Sequence, residues 1–216
     1  MEIKLIIPPA LDYEGGPKKE KWDSMLEELV RLGRTLGAGD VRAISAKEIS
    51  VEDRLANLCR EPKCKNYGLS PSCPPHVGGP SEFRNLLEKY EQAIVVRIVV
   101  PSSALFSDAR EDIMRLLHQI VAGIEQEAVR MGFNGAKAFA GGSCKNLFCD
   151  DYAGCRVLSE KGKCRNPEEA RPSMSGFGIN VSNLMKVCGW AGDIKTSRAE
   201  AVRAPLFWVA GLILVG

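Results

Sequence analysis

The 216-residue chain has eight cysteines but no Cys-x-x-Cys pair. Zinc sites commonly use such paired knuckles, and thioredoxin-type redox centres are built on them, so the absence weakens both readings. There is no tight three-cysteine run of the radical-SAM kind. Histidine is scarce, with only His76 and His118. No Gly-x-Ser-x-Gly, P-loop or Gly-x-Gly-x-x-Gly stands after a strand pattern, and no acid–base pair is evident. Gly176-Phe177-Gly178 reads as a turn rather than a phosphate loop. Charge of one sign is also lacking: 29 basic residues meet 27 acidic ones, a net +2. That balance argues against a nucleic-acid footprint and against a membrane-surface binder. The apolar end, APLFWVAGLILVG, is too short for a span, which needs roughly 20 residues. It reads as a buried strand.

What is present is ordinary core-forming composition plus thiols. Hydrophobic residues make up 45% and charged residues 26%, enough for a real core without disulfide staples. The start, MEIKLIIPPALDYEGG, does not read as a signal peptide, because its apolar run is short and proline and acid follow at once. A cytoplasmic setting is therefore expected. In a reducing cytosol, clustered cysteines read as metal ligands or redox thiols rather than disulfides.

Apolar periodicity predicts alternating helices and strands without internal repeats. Strands are expected at 3–7, 41–49, 93–100, 135–140 and 206–215, and helices at 19–36, 81–90, 107–131 and 181–187. The run Ala93–Val100, AIVVRIVV, suits a strand covered on both faces. His118 falls on the polar side of the 107–131 helix and is expected to face solvent. The fold class implied is α/β, with α+β as the alternative: a single domain over 1–216, with helices packed on a mixed or largely parallel sheet. Cysteine-rich loops at 59–80 and 141–180 leave it. Loops of that length need something to order them, and bound metal would do so.

The first cysteine set is Cys59-x4-Cys64-x8-Cys73, followed by Pro74-Pro75-His76. Thiolate sulfur is soft and suits zinc or iron–sulfur iron. Three thiols leave a fourth position to His76, to Cys188 in KVCGW, or to an exogenous group. Cys188 reads equally well as a small buried residue. The second set is Cys144-x4-Cys149-x5-Cys155-x8-Cys164, four thiols within 21 residues, which matches one complete site. Nearby Lys145, Arg156, Lys163 and Arg165 are expected to lower the thiol pKa values. The long, uneven spacings and the Cys73-Pro74 step favour iron–sulfur over zinc.

Three stretches give the chain a resemblance: CREPKCKNYGLSPSCPPH (59–76), FAGGSCKNLFC (139–149) and CRNPEEARPSMSGFGINV (164–181). In order and combination they resemble the domain-of-unknown-function family 2284, catalogued as predicted metal-binding proteins. That resemblance implies metal binding and supports cysteine ligation, but implies no reaction. The chain departs from the family in its wider spacing after Gly-Gly-Ser-Cys. It also has Ser175 where an acidic residue usually follows Arg-Pro-Ser-Met. The leading expectation is an electron-transfer or redox accessory protein with one or two [4Fe–4S] clusters and a redox partner protein. One alternative is an enzyme using an open iron at Cys59, Cys64 and Cys73. Another is a zinc-stapled interaction protein. No nucleic-acid or membrane partner is expected, and a homodimer is left open.

Overall fold

A computed structural model describes residues 17–190 and 205–216. The strand expected at 3–7 lies outside them. Two apolar runs organise the fold. Strand β2 (Gln92–Pro101) pairs antiparallel with a later strand, Leu206–Val215, over its whole length. A first strand, β1 (Asp40–Ser45), flanks β2, and the short β3 (Lys137–Phe139) flanks Leu206–Val215, which is β4. The strand order is β1-β2-β4-β3.

Successive strand residues point to opposite faces, and here both faces are buried. On one side Val41, Ile94, Val96, Ile98, Val209 and Ile213 pack against helices α1 (Pro17–Thr35) and α5 (Ala109–Arg130). On the other side Ala93, Val95, Ala210, Leu212 and Leu214 meet Phe83, Phe139, Met174, Phe177 and Leu184. Those partners come from helix α3 (Gly79–Leu87), strand β3, a 3-10 turn at Met174–Phe177, and a helix at Val181–Val187. The rings of Phe83, Phe139 and Phe177 form a mutual trio with centroids 5.1–5.3 Å apart. Burial of both faces explains why β2 and β4 read as unbroken apolar runs.

The expected combination of helices with a sheet is present, but the sheet is antiparallel at every described pairing, not mixed or largely parallel. The reason lies in the closing strand. β2 and β3 both run opposite to β4, so they run the same way as each other, and α5 is the crossover between them. The chain's last strand then inserts in the gap, producing a split βαβ unit. β2 and β3 therefore stay parallel in direction without being neighbours.

Some boundaries also differ. The strand expected to reach residue 49 ends at Ser45, where a capping box opens a 3-10 turn at Ala46–Glu48. The segment 141–180 is less irregular than expected. It holds α6 (Cys144–Phe148), α7 (Arg156–Ser159) and the turn at Met174–Phe177, while α2 (Asp53–Asn57) and α4 (Ser102–Leu105) are further single turns. The helix at 181–187 is α8. Among the described residues no helix is long and apolar enough to cross a membrane.

Gly211 lets α5 approach β4. A Cβ there would lie 2.4 Å from Val121 Cγ1 and 3.3 Å from Leu117 Cδ1. Gly211→Ala should lower unfolding stability by about 1–3 kcal/mol through overpacking, read as an earlier denaturant midpoint.

Candidate metal centre

The cysteine loops are held to the sheet edge by the segment Arg171–Met174. Ala140, directly after β3, donates its N–H to Pro172 O and accepts from Met174 N, each at 3.0 Å. This makes a parallel bridge between Ala140 and Ser173. On its far side Ser173 N donates to Ser72 O at 2.9 Å. Three segments distant in sequence thus lie side by side, and Ser72 and Ala140 bring Cys73 and Cys144 with them. Gly176 allows the first loop to close over the turn, since a Cβ there would sit 2.8 Å from Val77 and 3.0 Å from Pro74.

Helix α5 supports the same segment from below. His118 is 0% exposed, not solvated as its position on the helix suggested. Its Nδ1 accepts from Arg171 N at 3.2 Å, so Nε2 carries the proton and donates to Gly141 O at 3.1 Å. Two turns along, Glu125 accepts from Arg171 Nε at 2.5 Å and from Ala138 N at 2.6 Å. Gln119 and Gln126 donate to Glu169 and to the Glu168 carbonyl. The polar side of α5 is therefore covered by the loop at 166–171.

The second cysteine set lines one cavity of about 430 Å³. Cys144, Cys149, Cys155 and Cys164 all face it, with Pro71 and Ser72 of the first loop forming part of its wall. Asn166 donates its backbone N–H to Cys164 Sγ at 3.4 Å and its side-chain amide to Cys149 Sγ at 3.3 Å. Nothing in the sequence marked Asn166. The signal available was its place two residues beyond Cys164. The thiols are spread around the wall: among the described residues, no three His, Cys, Asp or Glu side chains group as a lone ion requires.

In the first set, burial raises the Cys59 thiol pKa, and neighbouring Cys64 and Cys73 raise it further. Of these three thiols Cys73 is buried and Cys64 exposed. Cys144 is raised by burial above all. The Ser72 and Ser70 hydroxyls pull it back, and Cys73 and Cys164 push it up again. The expected lowering by surrounding bases is not found at Cys144, because burial is the largest influence on it. Lys145 donates to Cys149 O at 2.7 Å, Arg156 pairs with Glu160 at 3.4 Å, and Arg165 stacks over Tyr152 at 4.1 Å.

A scan against family models matches residues 42–214 to the family described as Predicted metal-binding protein, DUF2284. The chain belongs to that family of predicted metal-binding proteins. The matched span includes all eight cysteines. No curated protein and no solved structure matches the chain.

Two candidate donors stand apart from the other thiols of this metal-binding family member. Cys188, 0% exposed, lies in the apolar layer with Met185 and Trp190. Its carbonyl accepts from Arg42 Nη1 on β1 at 2.7 Å, across the sheet from β3. Burial pushes its thiol up to about 11, and the charges acting on it are Arg42, Arg97 and Glu48, with no other thiol among them. His76 is exposed and turned onto its own loop, with Nε2 3.3 Å from Gly68 O. Among the described residues no group of three candidate donors includes either one.

Burial lowers the His118 pKa from 6.5 to about 4. A folded-state value below the unfolded one means that protonation favours unfolding. Stability is complete above pH ~6.5 and declines as the pH falls toward 4. Urea unfolding of the metal-free chain should lose about 2 kcal/mol from this group between pH 7 and pH 5. His118→Gln should remove that component of the pH dependence.

Proposed function

We propose that the chain is a redox accessory protein whose later cysteine set binds an iron–sulfur cluster and passes electrons to a partner protein. The observation that carries this reading is the single cavity faced by Cys144, Cys149, Cys155 and Cys164. Four thiols distributed around a cavity suit a [4Fe–4S] group, whose irons are separate, better than one ion at one point. When bound, such a group supplies one-electron chemistry. The chain's own part is to bind and tune it. The Asn166 N–H groups direct positive dipoles at two sulfurs, which favours the reduced state and raises the potential. Phe148, Val157, Pro167 and Pro172 limit water at the wall. Burial keeps the Cys144 thiol protonated in the metal-free chain, so binding there releases a proton and strengthens as pH rises.

The first set supports a second reading. Cys59, Cys64 and Cys73 share one loop, and Cys64 is exposed. Three thiols with an accessible face suit a site whose remaining position takes a small substrate.

Anaerobic reconstitution tests the main reading. Iron and sulfide in equal amounts are expected, with absorbance near ~400 nm that dithionite bleaches. Cys164→Ser should lose most of that absorbance, and Cys188→Ala should keep it. A colourless chain holding zinc without sulfide would sink the reading. Small-molecule turnover abolished by Cys64→Ser but not by Cys188→Ala would establish the second reading.

A further inference from the structure

Helix α5 and the second cysteine set are joined through one residue, Asn166. Its backbone N–H donates to Cys164 Sγ at 3.4 Å, and its carbonyl accepts from Ala170 N at 3.0 Å. Its side-chain amide donates to Cys149 Sγ at 3.3 Å and to Phe148 O at 3.2 Å. Two thiols of the set therefore share a single donor residue. Pro167 follows directly, fixing its own φ and restricting the residue before it.

The turn after Asn166 is spanned by one side chain. Arg171 Nη1 donates to Pro167 O and to Ala170 O, each at 3.0 Å, while Nε donates to Glu125 Oε2 on α5 at 2.5 Å. The Arg171 backbone N–H donates to His118 Nδ1, also on α5, at 3.2 Å. The Arg171 side chain is only 9% exposed and that of Glu125 18%. A charge so far out of water has to be paired and hydrogen-bonded, and each of these partners lies either on α5 or in the turn that begins at Asn166. A planar guanidinium fork reaches a carboxylate and two carbonyls at once, which a flexible ammonium does not reproduce.

We propose that Arg171 is a positioning residue for the second cysteine set: clamped between Glu125 and the turn at 167–170, it holds Asn166 where its two donors meet Cys149 and Cys164. Arg171 donates to no thiol itself, so its effect passes through Asn166. The two sulfurs are held in place in the metal-free chain, and a preorganised site loses less freedom when it binds. Outer groups of this kind orient the ligands of a metal site, and hydrogen bonds to ligand sulfurs help to set a cluster's potential. The effect on potential rests on the reading that this set holds an iron–sulfur cluster. The clamp is a property of the chain without it.

Two measurements test the proposal, with circular dichroism confirming each fold. In NMR of the metal-free chain, the Asn166 side-chain amide protons should be protected from solvent exchange in the wild type and lose that protection in Arg171→Lys. An amide that stays as protected in Arg171→Lys overturns the clamp. After anaerobic reconstitution, Asn166→Ala should shift the midpoint potential downward, because a donor to sulfur is lost. Arg171→Lys, which keeps the charge, should shift it in the same direction, and the double variant should fall no further than the larger single shift. A wild-type potential in Arg171→Lys, or single shifts that add in the double variant, overturns the proposal. A chain that takes up no iron and sulfide sinks the cluster reading instead, and the amide measurement then decides the clamp alone. Should Arg171→Lys fail to fold, Glu125→Gln replaces it in both measurements with the same outcomes.

Discussion

The narrow backbone ladder from Ser72 through Ser173 to Ala140 is the constraint on which the cysteine end depends. β3 has only three residues and is a sheet edge. Exposed edges carry unpaired amides that must be covered or paired. Here the segment 171–174 pairs with Ala140, and Glu125 on α5 takes the Ala138 amide. The same carboxylate holds Arg171, which is itself buried.

Burial gives the centre its chemistry. Desolvation raises the Cys59 and Cys144 thiol pKa values, helped by Cys64 and Cys73 at Cys59 and opposed by the Ser72 and Ser70 hydroxyls at Cys144. A bound cation reverses this logic, since a coordinating thiol is deprotonated outright. The same low-dielectric setting explains His118. Neutral and singly protonated, it joins Gly141 to Arg171 without adding a charge beside the thiols.

Legibility in the sequence followed the range of the interaction. The helix at 181–187 and the strand at 206–215 are found at their expected bounds, because each is written in local apolar pattern. The 107–131 helix is shorter by two residues at its start and one at its end. The spacing of Cys144, Cys149, Cys155 and Cys164 was legible as one set, and these four residues line one cavity. His118 was misread because helical periodicity tells which face is polar, not what lies above it. The loop at 166–171, some fifty residues later, covers that face and turns it inward. Cys188 was ambiguous for the same reason: a lone cysteine beside tryptophan is compatible with ligand and core alike, and its burial in the apolar layer comes from tertiary packing.

The sequence by itself determined the elements, the two-faced burial of the central strands, the thiol-rich chemistry and the family. These depend on residue type and short spacing, which the chain carries from one position to the next. The tertiary structure alone decided strand direction, since β4 must return from the far end of the chain to fill the gap between β2 and β3. It also decided that Ser72 and Ala140, about seventy residues apart, lie on either side of Ser173. Such contacts are bought with loop-closure entropy and long-range hydrogen bonds, and no local pattern records them.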